Sequence, residues 1–133
     1  MAVWSGHIRG RVAFAATLLA ALALVIPAQA RMVGGTSGDD RLEGGPKADT
    51  LKAREGDDRL IGKRGRDFLL GGRGLDTLNG GLGFDEIRAG AGNDVIFARD
   101  DTADLITCGA GFDVVYVDAI ESGIFGCEER HEP

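Results

Sequence analysis

Residues 71–88 read Gly-Gly-Arg-Gly-Leu-Asp-Thr-Leu-Asn and then Gly-Gly-Leu-Gly-Phe-Asp-Glu-Ile-Arg, two copies of the pattern Gly-Gly-x-Gly-x-Asp-x-(aliphatic)-x. A fixed short period is the strongest constraint a sequence can place on its fold, because each repeat must form the same small unit and bury its apolar side against its neighbours. Laid along the chain from Gly35, position six falls on Asp40, Asp49, Asp58, Asp67, Asp76, Asp85 and Asp94, and position eight on Leu42, Leu51, Leu60, Leu69, Leu78, Ile87 and Ile96. The frame then slips by one residue and resumes with Asp104, Ile106, Asp113 and Val115, so nine units fill nearly all of the chain from Gly35 to Tyr116.

The unit divides by chemistry into six turn residues and three strand residues. Glycine at positions one, two and four lets the backbone take positive φ and leaves its carbonyls unobstructed. The x-aliphatic-x that follows is a minimal strand, with its central side chain on one face. Two units make a flattened coil of 18 residues, and stacked coils give two short parallel sheets whose leucines meet in a thin core. The expected fold is therefore all-β: a parallel β-roll, a two-sheet β-solenoid, closed by a short C-terminal cap.

Departures from the pattern are also placed by the period. Lys47 stands for the glycine of position four in the second unit, Ala53-Arg54 for the glycine pair of the third, and Lys63 and Ala89 for one glycine each. Arg99 to Ala103 contain no glycine, so the Asp104 unit is expected to be a distorted turn or bulge with weakened or absent metal binding.

Residues 1–30 have the three parts of a cleavable secretory signal. Arg9 and Arg11 form a basic start, Val12 to Ile26 is an almost unbroken apolar run, and Pro27 precedes the small-x-small site Ala28-Gln29-Ala30. The run is shorter than the roughly 20 residues that cross a bilayer, so stable membrane insertion after cleavage is not expected. The β-roll is assigned to residues 31–116 and the cap or tail to 117–133. Cys108 lies in the last repeat and Cys127 in the tail, so a Cys108–Cys127 disulfide is expected to fasten the tail, consistent with an oxidising, extracellular location.

The 18-residue coil decides which aspartates meet. One edge of the stack carries Asp40, Asp58, Asp76 and Asp94, and the other Asp49, Asp67 and Asp85, joined by Asp104 if the frame holds past the slip. Successive carboxylates lie about 4.8 Å apart along an edge. At that spacing they repel, and a divalent cation between turns resolves the repulsion. Calcium suits the site, since it takes six to eight hard oxygen ligands in flexible geometry, whereas zinc favours the His or Cys that the turns lack. The candidate ligands are the side chains of Asp40, Asp49, Asp58, Asp67, Asp76, Asp85, Asp94, Asp104 and Asp113, and the carbonyls of Gly56, Gly65, Gly71, Gly72, Gly74, Gly80, Gly81, Gly83, Gly90 and Gly92. The best-formed pairs are expected to be Asp58 with Asp76, Asp76 with Asp94, and Asp67 with Asp85.

On these repeats the chain resembles the RTX, or haemolysin-type, calcium-binding family, most strictly at Gly71 to Asp76 and Gly80 to Asp85. That resemblance implies a parallel β-roll with calcium between successive turns and metal-dependent folding. It does not carry over the dedicated exporter many members use, because this chain has an N-terminal signal.

The formal charge is −6, and residues 1–30 carry no acid, so the remainder is more acidic still. This argues against nucleic acid as a partner and for cations. Lys47, Arg54, Lys63, Arg64, Arg66 and Arg73 lie in or beside the turns, so the sites are expected to be weak, roughly 10⁻⁴ to 10⁻³ M. Nine of the 13 basic residues after the signal fall between Arg41 and Arg73, which suggests an alternative: an extracellular scaffold or adhesin for an anionic cell-surface polysaccharide, with calcium only structural. No catalytic constellation is evident, since His131 stands alone in the tail and neither Ser37 nor Ser122 has a basic partner in sight, and an enzyme is not expected.

Overall fold

The computed structural model describes residues 30–118 and 123–132. The expected signal up to Gln29 lies outside them, and among the described residues no helix is long and apolar enough to cross a membrane. In chain order the strands are β1 (Met32–Gly34), β2 (Arg41–Glu43), β3 (Thr50–Glu55), β4 (Arg59–Arg64), β5 (Phe68–Arg73), β6 (Thr77–Leu82), β7 (Glu86–Ala91), β8 (Val95–Ala98), β9 (Leu105–Ala110), β10 (Val114–Val117), β11 (Ile124–Phe125) and β12 (Glu129–His131).

Odd strands form one sheet in the order β1-β3-β5-β7-β9-β11, and even strands the other in the order β12-β10-β8-β6-β4-β2. The pairing is parallel, and its register is the repeat made visible: Leu51 pairs with Leu69, which pairs with Ile87, while Leu60 pairs with Leu78, each 18 residues on. The one-residue slip appears as a 19-residue step, Ile87 to Ile106 and Ile96 to Val115. The chain thus alternates between sheets at every unit, as the β-roll expectation requires. The extra residue is absorbed in the turn before Asp104, where Asp101 takes φ 61°; β8 is cut to four residues and its pairing with β6 ends at Phe97, while β7 and β9 pair in full register.

The aliphatic residues of position eight from Leu51 to Val115 are fully buried and face one another across the two sheets. Burying one such side chain contributes about 1.5–3 kcal/mol, so the column is the main cohesive element of a narrow molecule.

One expectation is corrected. The strands are not three residues long with six-residue turns; the proportion is inverted. β3 to β7 and β9 span six residues each, leaving turns such as Gly74-Leu75-Asp76. The glycine pair belongs to the strand: Arg54 pairs with Gly72, and Gly72 with Gly90. Position one is a second inward-facing site, filled by small residues such as Ala53, Gly71 and Ala89, and at Gly71 the Asp76 carboxylate and the Ala89 carbonyl crowd the space a side chain would take.

The described part of the tail continues the stack at its end. β11 pairs with β9 and β12 with β10, adding one short strand to each sheet. The Cys108–Cys127 disulfide joins tail to last repeat, with Cα atoms 5.2 Å apart. On the outer face Phe97, Tyr116 and His131 stack at 5.0 and 4.8 Å, and the Arg99 guanidinium donates to the carbonyls of Val117 and His131.

Candidate metal centre

Each turn delivers its aspartate to one of two columns on opposite edges of the stack. Along the first edge, the Asp40 N–H donates to Oδ1 of Asp58 (2.7 Å), Asp58 to Asp76 (2.9 Å), Asp76 to Asp94 (2.8 Å) and Asp94 to Asp113 (2.8 Å). Along the second, Asp49 donates to Asp67 (2.7 Å), Asp67 to Asp85 (2.8 Å) and Asp85 to Asp104 (2.7 Å). The two expected columns are formed, Asp104 stands in the second despite its distorted turn, and Asp113 extends the first. Asp76 and Asp85, adjacent in the sequence pattern, lie in different columns.

The second carboxylate oxygen behaves differently along the stack. In the first coil it is used locally: Oδ2 of Asp40 accepts from the N–H and hydroxyl of Thr36, and Oδ2 of Asp49 accepts from the Gly45 N–H. In Asp58, Asp67, Asp76, Asp94 and Asp113, Oδ2 is buried with no hydrogen-bond partner. Their side chains are at most 2% exposed. A buried carboxylate oxygen without a donor carries its full desolvation cost. Burial accordingly pushes the carboxyls of Asp67, Asp76 and Asp94 up to about 6; the backbone N–H bond each receives acts the other way, and neighbouring aspartate charge adds to the rise. Asp58 and Asp113 are raised for the same first cause.

A main-chain oxygen faces the same space. A Cβ placed on Gly71 would collide with both Oδ2 of Asp76 and the carbonyl oxygen of Ala89 in the next coil, and one on Gly62 with Oδ2 of Asp67 and the carbonyl of Gly80. At Gly35 the corresponding approaches are 2.7 Å to Oδ2 of Asp40 and 2.6 Å to the Ala53 carbonyl. At Gly71 and Gly62 two oxygen acceptors from successive turns converge, and the Oδ2 atoms of Asp76 and Asp67 there have no donor. Carbonyls also stack outward along each edge, Gly74 lying against the carbonyl of Gly56 and Gly83 against that of Gly65. Among the described residues no three His, Cys, Asp or Glu side chains cluster as a metal site. A cation here would therefore be held by carboxylates together with carbonyls, an all-oxygen set suited to a hard ion.

A family model of the RTX calcium-binding nonapeptide repeat (4 copies) matches residues 34–69 and 70–102, just over half of the chain. The chain belongs to the RTX calcium-binding nonapeptide repeat family. Its cofactor is Ca2+, and the buried aspartate oxygens fit that ion. No curated protein and no solved structure matches the chain. The RTX match ends at Thr102, so the places of Asp104, Asp113 and the tail rest on the geometry of the stack alone.

Several of the basic residues expected to weaken the RTX turns are engaged elsewhere. Lys63 pairs with Glu43 at 3.0 Å, Arg73 approaches Glu55 at 3.9 Å, and Arg66 lies over the Phe84 ring. Three contributors to the edges escaped the sequence reading. A second polar ladder runs at position five, where the Asp57 N–H donates to Asp39, the Leu75 N–H to Asp57, and the Phe112 N–H to Asn93. The Arg31 N–H donates to Oδ1 of Asp49 (2.7 Å), so Arg31 begins the second column, nine residues before Asp40, and extending the period backwards finds it. Glu128 receives the Asp113 N–H (2.8 Å), and no periodic signal marks it.

Proposed function

We propose that this chain is a secreted calcium-binding repeat protein that holds Ca2+ between successive turns of each edge and folds, or becomes rigid, when the ion binds. The observation that carries the reading is the column of buried, unpartnered Oδ2 atoms facing main-chain carbonyls of the next coil. The ligands are taken to be the aspartates of position six, from Asp40 to Asp113, with glycine carbonyls of the turns. The strongest sites fall between Asp58 and Asp76, between Asp76 and Asp94, and between Asp67 and Asp85. Bound calcium supplies positive charge where these oxygens converge, so metal-free coils repel and loaded coils cohere. The first coil differs, because Asp40 and Asp49 already satisfy their second oxygen locally. Secretion rests on the signal-like residues 1–30, and a non-enzymatic role on the structural nature of the repeat. Far-ultraviolet circular dichroism in chelator and then in calcium tests the proposal: calcium is expected to build the β-signal, and an unchanged β-rich spectrum would remove the ion from the folding argument.

A second reading, an extracellular scaffold for an anionic glycan, is favoured by one surface feature. A shallow cavity of about 270 Å³ on the outer face of the even-strand sheet is lined by Arg59, Ile61, Thr77, Asn79 and the Phe97 ring. An aromatic face beside an arginine and an amide matches what a sugar ring bearing an acid group needs. The exposed Arg64 and Arg66 lie on the same half of the chain. Glycan binding lost on Arg59→Ser or on joint Arg64→Ser and Arg66→Ser change, with calcium-induced folding intact, supports the scaffold role.

A further inference from the structure

The first column does not end with the last repeat. Glu128 makes two of the contacts that Asp58, Asp76, Asp94 and Asp113 make in the same column. Its side chain accepts the N–H of the preceding column member, as Oε2 takes the Asp113 N–H at 2.8 Å where Asp113 itself takes that of Asp94. The residue after it, Glu129, donates its N–H to the Asp113 carbonyl (3.1 Å), as Val114 does to the carbonyl of Asp94. The strand that follows stays in register, Val114 opposite Glu129.

Both differences from the repeat have one explanation. Asp94 to Asp113 is a step of 19 residues, whereas Asp113 to Glu128 is only 15, chiefly because β11 is cut to two residues, so that Glu128 follows Ile124 sooner than Asp113 follows its partner Ile106. After this shortened strand the Glu128 N–H turns to the Asp113 carbonyl (3.3 Å), and the longer glutamate side chain still reaches the Asp113 N–H. Cys127, bonded to Cys108 of the preceding turn, fixes the residue next to Glu128 in place.

Asp113 is fully buried, and its Oδ2 has no partner, as in Asp58, Asp76 and Asp94 of the same column. We propose that Glu128 and Asp113 form a terminal calcium site, the last of the first edge, in which a tail residue outside the repeats supplies the closing carboxylate. This rests on the calcium reading of the columns and adds a site that the nonapeptide pattern does not contain. Since Glu128 is exposed, this site opens to solvent on its outer side, and its ion exchanges more readily than those between full turns.

Glu128→Gln separates a ligand from a structural contact, because the amide oxygen can still accept the Asp113 N–H while the charge is gone. Ions bound to the full chain are counted by titration with terbium as the calcium stand-in, alongside circular dichroism in saturating calcium. The expected result is one ion fewer per chain in Glu128→Gln, a β-signal equal to that of the unchanged protein, and an unchanged count in Glu129→Gln. An equal count in Glu128→Gln and the unchanged protein overturns the terminal site and leaves the other columns standing. An unchanged protein that takes up no ion overturns the calcium reading and this site with it.

Discussion

The Asp76 amide donates to Oδ1 of Asp94 at 2.8 Å, while the Asp76 carboxylate accepts from Asp58 with one oxygen and leaves the other buried and unpartnered. Asp58, Asp67, Asp94 and Asp113 share this arrangement, each accepting an N–H with one oxygen and keeping the other buried without a partner between turns. The hydrogen bond orders the carboxylate, and the missing donor makes the ordered state costly without a cation.

Asp76→Asn tests that separation. The side-chain oxygen can still accept the Asp58 N–H, and the new amide nitrogen sits where Oδ2 was, able to donate towards the Ala89 carbonyl. The metal-free protein is expected to gain about 1–3 kcal/mol from the relieved orphan, while the increment on adding calcium shrinks because two sites lose a charge. Thermal melts with chelator and with calcium measure both. Melts in chelator that fail to rise would count against the orphan oxygen as the source of metal dependence.

Acid should substitute in part for calcium. The carboxyls of Asp67, Asp76 and Asp94 titrate at about 6 in the fold against an ordinary 3.8, so between those values the folded, metal-free chain binds more protons than the unfolded one. The resulting stabilisation is complete below the lower value and lost as pH rises through the upper one. In chelator, the β-signal is expected to be stronger at pH 4.5 than at pH 7.5. Protons compete for the same oxygens, so the calcium midpoint should move to higher concentration as pH falls through 6. Titrations followed by circular dichroism at both ends of the range check the two directions together.

The two columns were legible because the period is 18 residues per coil, so arithmetic alone places Asp58, Asp76 and Asp94 on one edge and Asp67 and Asp85 on the other. Strand length was not legible. A Gly-Gly pair reads as turn chemistry, and only the pairing of Gly72 with Arg54 and Gly90 shows the backbone still in the ladder. Glu128 was hidden for a different reason: the strand before it, β11, is cut to two residues, so it falls out of the period, and its carboxylate is on the longer side chain. The burial of the aspartates also needed the structure, since turn residues are expected at the surface and these lie beneath the outer turn, against position one of the strand.

Position two offers a stability test of backbone strain. Gly72, Gly81, Gly90 and Gly109 take φ between 102° and 130° there, and Arg54 and Lys63 are forced into the same region at 99° and 88°. Non-glycine residues held so are strained by about 1–3 kcal/mol each. Arg54→Gly and Lys63→Gly are expected to raise the unfolding midpoint in calcium, each by about 1 kcal/mol after the entropic cost of glycine. The reverse change, Gly72→Ala, drives a Cβ into the Arg54 carbonyl and should cost about 3 kcal/mol or more. Equal stability of Arg54→Gly and the unchanged protein would show that the strain is relieved in solution.

The disulfide should matter most at the end it clamps. Closing the 19-residue separation between Cys108 and Cys127 contributes about 3 kcal/mol in the chain-entropy account. Cys127→Ser is expected to lower the unfolding midpoint and to speed amide exchange in β11 and β12 first, leaving β4 to β7 protected. Exchange that rises uniformly along the stack would mean that the roll opens as one unit and the clamp is not local.

The start of the second column makes a prediction about processing. If the signal is removed after Ala30, the Arg31 nitrogen that donates to Asp49 at 2.7 Å becomes an α-ammonium, and a hydrogen bond from a neutral amide becomes an ion pair with a buried carboxylate. The mature chain beginning at Arg31 should then melt at higher temperature than the same chain preceded by two extra residues. The advantage should fade above about pH 8, as the α-amino group loses its proton. Mass spectrometry of the secreted protein reads the first residue, and paired melts at pH 6.5 and pH 9 read the charge; a difference that does not depend on pH would assign it to the added residues rather than to the ammonium.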